Sequence, residues 1–464
     1  LPVSKKSKPL QLHKDTLFKN INHSSSLTSD NYEELLQKQA GTSVQKKKSQ
    51  FSKQKARQAV KELVETWSTK DNETHRILAF LDIMKLLRAR RTFHDSVLKK
   101  MYVAYARNTK LINLDTLPVI TFMQKSFVEM CALDLDDTYR HAFVYIRQMA
   151  IHLRNAMIQR KKELVIAVHN WQFVQCLYLW ARVLVKYQEH ELLQQLVYPL
   201  VQVVLGCARL RPGAHHFPLL FHCVKILLIL CQIPGTYIPV LPLLTEVLDR
   251  KEFWNKKHII QKQMKTPNLD CMLKISKSQS VEKPTKDACI EKLSELFLDC
   301  LDCVKNSVAF PDLSIPIVMK LKGFCKSCKI ANYSRQIKGI AEKIEEHSRF
   351  VSAILRQRSI NLQSQGSVLA IEAELRLSDS PLKSYLESWR RTKARQDEIK
   401  AQRQDESDES DSHSSADMPV QPVKLKPKKS SDDGLKKKHK KKLSKKKVNI
   451  PANEDTVLDL ELSD

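Results

Sequence analysis

The chain has 464 residues, of which 42% are hydrophobic and only 8 are Gly. Phosphate-binding loops and tight hairpins depend on Gly, because only Gly takes a positive φ without strain. This composition therefore argues against strand-rich and nucleotide-binding folds and predicts an all-α protein. The length exceeds that of one ordinary core, which indicates two or three domains or an elongated repeat array.

The formal net charge is +27 at pH 7. The excess is not confined to a tail, because residues 71–400 contain 50 Lys and Arg against 32 Asp and Glu, whereas residues 401–464 are nearly neutral. A basic excess on a folded body favours a polyanionic partner. The sequence therefore predicts contact with nucleic acid.

Eleven Cys are scattered mostly through apolar runs. No signal segment opens the chain, and no uninterrupted apolar run reaches about 18 residues. We therefore expect reduced thiols in an intracellular protein that has no membrane partner.

In chain order, residues 1–70 form a Lys-rich and Ser-rich arm that we expect to be disordered and to lead into a first helix near 53–67. From residue 71 the apolar side chains recur at steps of three and four, which predicts amphipathic helices as far as residue 400. Residues 401–464 are typical of a disordered tail with an acidic block, a lysine block and an acidic end. The helices are expected at 77–87, 94–107, 117–132, 137–160, 163–187, 190–208, 217–231, 238–250, 286–305, 313–329, 333–358 and 380–400.

Several of these helices are predicted to begin with an apolar residue and Pro, since Pro suits the first helical turn. The residues concerned are Pro118, Pro199, Pro218, Pro239 and Pro316. Three of them follow one another at steps of about twenty residues, so that two helices occupy about forty, as in HEAT and armadillo repeats. We therefore expect a HEAT/armadillo-like helical-repeat solenoid over 71–400, with a polar loop at about 251–285; a compact helical bundle is the alternative.

Four cationic residues recur at intervals of seven on the helix expected at 137–160, namely Arg140, Arg147, Arg154 and Lys161. A heptad step drifts only about 20°, so these side chains share one face roughly 10 Å apart. The neighbouring face, with Phe143, Ile146, Ala150, Leu153 and Met157, is expected to be buried. Such a ridge could follow a phosphate backbone without reading bases, although an ordinary solvated face has the same pattern.

Other basic groups extend this hypothesis. Lys162 continues the ridge, and Arg88, Arg90 and Arg91 form a second candidate nucleic-acid cluster. The densest basic block indicates a nuclear import signal or a flexible polyanion tether, and a merely solvating tail is the alternative. This block consists of Lys436, Lys437, Lys438, Lys440, Lys441, Lys442, Lys445, Lys446 and Lys447.

Two Cys-x-x-Cys pairs, Cys300 with Cys303 and Cys325 with Cys328, raise the possibility of zinc. Both pairs lie on predicted amphipathic helices, where Cys usually packs as a small hydrophobe, and we therefore expect no metal. Nucleotide-binding, hydrolase and zinc-protease signatures are missing from the sequence, which predicts neither enzymatic activity nor a cofactor.

Specific strings in the helical region resemble the nucleolar complex protein two family. They are Tyr145 to Met157, His169 to Trp180, the string beginning at Tyr198, His216 to Cys223, Tyr237 to Pro242 and Asn332 to Gln336. The resemblance covers about 70–395. It implies a helical-repeat factor for assembly of the large (60S) ribosomal subunit, which works in the nucleolus and nucleoplasm, pairs with sister nucleolar complex proteins as a heterodimer and travels with pre-ribosomal particles and rRNA.

A second reading is a chromatin-associated transcriptional regulator that binds histones or a transcription factor. The acidic stretches 405–417 and 454–464 would suit histones. A karyopherin-like carrier is a third reading, but carriers are typically acidic. The basic helical region argues against it.

Overall fold

In a computed structural model the described residues are 47–69, 72–255, 266–358 and 364–412. Over these ranges the regular structure is α-helix with short 3-10 turns, and the all-α prediction is confirmed. The chain divides into two compact units, residues 1–61 and 62–464. The first nine helices are α1 (Lys47–Trp67), α2 (Glu73–Ala89), α3 (His94–Asn108), α4 (Thr116–Cys131), α5 (Leu135–Gln159), α6 (Lys162–Val168), α7 (Trp171–Lys186), α8 (Glu191–Gln195) and α9 (Val197–Arg209). The others are α10 (Phe217–Leu230), α11 (Leu241–Leu248), α12 (Lys251–Asn255), α13 (Lys283–Val304), α14 (Phe310–Ser327), α15 (Ala331–Arg356), α16 (Gln365–Leu377) and α17 (Pro381–Ser412).

The segment expected as one helix at 163–187 is two helices, α6 and α7. The break falls at Asn170, whose side-chain oxygen accepts a hydrogen bond from the backbone N–H of Phe173 at 2.8 Å. Asn is a favoured N-cap residue because its oxygen satisfies an amide that the helix leaves unpaired. The apolar periodicity runs through the break, which is why it did not reveal a second helix.

Proline marks helix starts less regularly than predicted. Pro118 and Pro218 lie in the first turns of α4 and α10, as expected. Pro239 instead precedes α11, which begins at Leu241. Pro316 lies inside α14, which already begins at Phe310, so the prediction that Pro316 opens a helix was wrong.

Helices α8 and α9 together span Glu191–Arg209, a stretch long and apolar enough to cross a membrane by length and composition. Within the protein, however, several of its apolar side chains are packed in the core, while Leu192 and Tyr198 are exposed. Leu193, Leu200, Val204 and Cys207 are fully buried. Packing between helices therefore accounts for these four apolar residues.

The helices of the second unit contact one another in succession. Helix α4 packs on α7, α7 on α10, α10 on α13, and α13 on both α15 and α17. A second series runs from α3 to α5 and from α5 to α9. The two series are held together where α5 and α9 also pack on α7.

An aromatic cluster fixes α5 against this core. The rings of Tyr102 and Tyr145 stack with their centroids 3.8 Å apart, and the ring of Trp180 lies 5.9 Å from that of Phe127 in an edge-on arrangement. Burial raises the pKa of Tyr145 to about 12. These four residues come from α5 and from α3, α4 and α7, so the orientation of α5 about its own axis is fixed.

The predicted polar loop at about 251–285 is attached to the core at several points. Phe253 and Trp254 are buried on the short helix α12, and Leu269 is buried further along. Asp270 accepts a hydrogen bond from Lys225 Nζ at 2.6 Å and also pairs with Lys292 at 3.1 Å. Residues 256–265 lie outside the described ranges.

The remaining sequence predictions concern the two ends of the chain. The arm before residue 47 and the lysine block at 436–447 lie outside the described residues. Helix α17 extends to Ser412, past residue 400, where the composition predicted that the helical region ends.

Candidate protein and nucleic-acid interface on α5

Helix α5 has a well-defined start and end. Its N-cap Asp134 accepts hydrogen bonds from the backbone N–H groups of Asp136 at 3.1 Å and Asp137 at 3.0 Å. Two acidic residues in the first turn also suit the positive end of the helix dipole. At the other end, Arg160 takes a left-handed φ of 52° and terminates the helix.

One face of α5 is buried against α3, α7 and α9. It consists of Ala142, Tyr145, Ile146, Met149, Leu153 and Ala156. The periodicity had identified Ile146 and Leu153 correctly. Because this face is packed on three sides, the opposite face of the helix is presented to solvent.

Three of the four predicted ridge residues lie on that outer face. Arg140, Arg147 and Arg154 are all exposed. Arg147 and Arg154 have no hydrogen-bond or ion-pair partner among the described residues. Arg140 pairs with Asp137, and Asp137 in turn lies 3.2 Å from Nδ1 of His94 on α3. Over the described ranges, two guanidinium groups are therefore left available to a ligand.

Lys161 does not continue the ridge along the helix. Helix α5 ends at Gln159, and the left-handed Arg160 turns the chain before Lys161. Lys161 and Lys162 are exposed at the start of α6 instead. The ridge on α5 therefore has three members, since Lys161 lies two residues beyond the last residue of the helix.

The outer face of α5 also contains apolar residues, and for two of them the prediction of burial was wrong. Phe143 and Met157 were expected to be buried, but they are 44% and 52% exposed. Val144, Ile151 and Ile158 are exposed as well, Ile158 by 72%. We refer to these five apolar residues together with Arg140, Arg147 and Arg154 as the α5 surface.

Charged and apolar side chains alternate along the α5 surface. Phe143 precedes Arg147 by four residues, and Ile158 follows Arg154 by four, so each pair is adjacent on the helix. Arg, Met and aromatic residues are enriched where proteins bind one another. This arrangement suits a partner that offers apolar side chains and negative charge together.

The second predicted basic cluster lies near one end of the α5 surface. Arg88, Arg90 and Arg91 are exposed at the junction of α2 and α3. Arg88 and Arg91 line a cavity of about 240 Å³ together with His94 and Asp134. Because His94 also contacts Asp137, the partner of Arg140, the fold brings the two basic clusters into one neighbourhood.

The exposed apolar residues were not recognised from the sequence, although a signal was present. Helix α5 has more apolar residues than one buried stripe requires, since Phe143, Val144, Ile151 and Ile158 lie outside it. An apolar residue that recurs next to cations on the presumed outer face is the feature that could have identified this interface.

The four Cys residues of the two Cys-x-x-Cys pairs differ in their exposure to solvent. Cys300 is buried, Cys303 is exposed, and Cys325 and Cys328 are half-buried. Burial raises the pKa of Cys300 well above its ordinary value. Over the described ranges, His, Cys, Asp and Glu side chains form no group of three that could hold a metal ion.

Comparison with known proteins identifies the family. Residues 92–389 match the Noc2p family. The chain is 45% identical over 353 residues to nucleolar complex protein 2 of Drosophila melanogaster, covering 74% of this chain and 46% of that protein. It is 32% identical to a Caenorhabditis elegans homolog of nucleolar complex protein 2, over 71% of this chain and 47% of the homolog.

A plant protein gives a third comparison. The chain is 34% identical to nucleolar complex-associated protein 2 of Arabidopsis thaliana, over 63% of this chain and 38% of the plant protein. The chain thus spans about half or less of the length of these relatives. The match to the family covers α3 to α17 up to residue 389 and includes the whole α5 surface. The chain belongs to the Noc2p family.

Proposed function

We propose that this protein is a non-enzymatic assembly scaffold in ribosome biogenesis, acting on precursors of the large (60S) subunit in the nucleolus and nucleoplasm. In this proposal it binds a sister nucleolar complex protein as a heterodimer and contacts pre-ribosomal particles through rRNA. Membership of the Noc2p family and the nucleolar names of its relatives support the proposal. The basic excess of residues 71–400 supports contact with rRNA.

The observation that carries the proposal is the composition of the α5 surface. Isolated apolar residues are ordinary on a protein surface, but five on one helix form a patch that favours a protein partner. Arg147 and Arg154, which have no partner in the part of the chain that the structure describes, add positive charge to the same face. We infer that the apolar side chains contact the sister protein, while the guanidinium groups contact rRNA phosphates beside it.

The succession of contacts from α4 through α7 and α10 to α13 supports the proposal of stacked helical repeats. Repeats that contact only their neighbours form extended surfaces, which suit assembly proteins. The Arg88, Arg90 and Arg91 cluster, with Lys161 and Lys162, would extend the basic surface on either side of α5. The lysine block at 436–447 is proposed as the nuclear import signal.

Two matched double variants test the roles assigned to the α5 surface. Arg147→Glu with Arg154→Glu should reduce recovery of rRNA with the protein and leave binding of the sister protein largely intact. Ile151→Ser with Ile158→Ser should reduce recovery of the sister protein. All four side chains are exposed, so circular dichroism should show the same helix content in both variants.

Sedimentation of nuclear extract tests the wider assignment. Co-migration with large-subunit precursors that is lost on RNase treatment is the expected result. Recovery with nucleosomes that resists RNase would instead favour the second candidate, a chromatin-associated regulator that binds histones. If neither double variant changes recovery of RNA or protein, the α5 surface has no part in the function.

A further inference from the structure

A separate cleft lies on the other series of helices, away from the residues of the α5 surface. It has a volume of about 560 Å³ and is lined by residues of α4, α7, α10, α13 and α17. Ligand-binding clefts typically measure about 300–1,000 Å³. The cleft runs across several neighbouring helices. It is therefore long enough in principle to hold a peptide in an extended conformation.

Among the described residues that line the cleft, Arg182 of α7 and His222 of α10 each keep a buried side-chain nitrogen without a hydrogen-bond partner, and Arg182 is the one with a permanent charge. Arg182 is half-buried, and its Nε is shielded from solvent without an acceptor among the described residues. Its guanidinium group makes no ion pair there either. A buried donor without an acceptor is unfavourable, and a guanidinium fork is shaped to hold a carboxylate or a phosphate through two hydrogen bonds.

The other polar groups of the cleft mostly satisfy one another. Gln124 donates to Oε1 of Gln175 at 2.8 Å. The hydroxyl of Tyr178 lies 3.2 Å from Nδ1 of His222, and Lys225 donates to Asp270 at 2.6 Å. Arg182 is thus the cation that these contacts leave open for an external anion.

The charges at the α13 side of the cleft distinguish a carboxylate from a polyphosphate. Asp302 accepts a hydrogen bond from Arg390 at 2.9 Å, and Asp299 lies 3.7 Å from the same guanidinium. Asp302 is also paired with Lys305, whereas Asp299 shares the guanidinium of Arg390 with Asp302 and is the less fully neutralised carboxylate of the two. A nucleic-acid strand that reached Arg182 would be repelled there, whereas a peptide could place a basic side chain beside Asp299.

Apolar side chains in the cleft could contact the apolar residues of a peptide. Ile120 of α4 and Leu228 and Ile229 of α10 line the cleft together with the charged groups. A pocket that combines apolar walls with a few placed charges is typical of sites that recognise a short segment in one orientation.

We propose that this cleft binds a linear peptide segment of a partner protein, with an acidic side chain of the peptide on Arg182, a basic side chain at Asp299 and apolar residues between them. The site is independent of the α5 surface. Failure of the α5 variants would therefore leave this proposal standing, and the reverse also holds.

Selection from a phage-displayed library of random linear peptides on the full chain tests the proposal. Enriched peptides should contain one acidic and one basic residue around an apolar core. Arg182→Ala should weaken the affinity of the protein for the selected peptides by at least about thirtyfold, measured by fluorescence polarisation. A loss of this size is expected when one partner of a desolvated ion pair is removed. Arg182→Lys, which keeps the charge but not the fork, should give an intermediate loss, and the exposed Arg376→Ala of α16 should have no effect.

A charge reversal makes the test independent of the stability of the Arg182 variants. In Asp299→Lys, selection should still favour an acidic residue but should replace the basic residue with an acidic or neutral one. The proposal is overturned if no peptide is enriched on the wild-type protein, or if selection on Asp299→Lys gives the same peptides. Displacement of the bound peptide by a single-stranded RNA oligonucleotide from wild type, together with loss of RNA binding in Arg182→Ala, would assign the cleft to RNA instead.

Discussion

Leu153 of α5 lies directly over Gly206 of α9. A Cβ atom added to Gly206 would lie 2.5 Å from Cδ2 of Leu153, closer than two non-bonded carbon atoms approach in proteins. Leu153 is buried and therefore has little room to move. The packing of α5 on α9 thus depends on the absence of a side chain at residue 206.

Gly206→Ala should destabilise the protein by about 1–3 kcal/mol, the usual range for inserting an atom into a packed contact. Gly339 on α15 is the matched control, because no atom of the described residues lies within 4 Å of a Cβ atom added there. Gly339→Ala should stabilise the protein by up to about 1 kcal/mol through helix propensity alone. Urea unfolding measures both effects, and an equal gain in both variants would contradict the assigned role of Leu153.

Asn170→Ala should lower the free energy of unfolding by about 1 kcal/mol, because the backbone N–H of Phe173 would lose its acceptor. Asn170→Gly should lower the free energy of unfolding by only about 0.3 kcal/mol, since Gly is tolerated at this capping position. Chemical denaturation of both variants checks the difference. Equal losses would mean that Asn170 does not act through its cap.

Stability should fall as the pH is lowered from about 6.5 towards 4. Burial lowers the pKa of His222 to about 4, and burial together with the nearby His216 lowers that of His169 to about 4. The unfolded chain takes up protons near pH 6.5, whereas the folded chain resists protonation at these positions. The stabilisation is therefore complete above pH 6.5 and is lost progressively below it.

Urea unfolding at several pH values between 6.5 and 5 measures this loss before most carboxylates titrate. His222→Gln should flatten the dependence of the unfolding free energy on pH, whatever its effect on stability at pH 7. A slope in the variant equal to that of the wild type would show that His222 is protonated equally in the two states.

The salt dependence of RNA binding should distinguish the two kinds of residue on the α5 surface. If Arg147 and Arg154 each contact a phosphate, Arg147→Ala with Arg154→Ala should reduce the slope of log affinity against log salt by about 1.4, or about 0.7 for each contact with single-stranded RNA. Ile158→Ser should leave the slope unchanged. Filter binding over a range of salt concentrations provides the measurement.

Replacing the lysines of block 436–447 with Gln should abolish nuclear accumulation of a fluorescent fusion protein, since import receptors recognise dense positive charge. Gln replacements at Lys424, Lys426, Lys428 and Lys429 provide a control in the same region of the sequence. Unchanged accumulation in the block variant would place the import signal elsewhere.

Periodicity predicted most of the helices because burial repeats along them at regular steps, as at Tyr145, Met149 and Leu153. It could not show the break at Asn170, since apolar residues continue on both sides of the cap. It also placed Phe143 and Met157 in the core, because hydrophobicity alone does not reveal whether a partner element covers a face.

The Arg182 cleft is beyond what sequence patterns can predict. Its residues lie between 117 and 390, and no local spacing connects Ile120 with Asp299 or Arg390. Arg182 itself lies between the buried Ala181 and Val183 and has the sequence pattern of an ordinary solvated residue. Only the packing of successive helices places it in the same cleft as carboxylates from α13.

The dispersed origin of the cleft has a consequence during synthesis. Arg390 is the last of the residues that line the cleft to be translated. In a nascent chain that still lacks α17, one wall of the cleft is therefore missing. A peptide that requires the whole cleft would therefore bind the finished helical body and not a ribosome-bound precursor of it. Occupancy of the cleft would report that folding is complete.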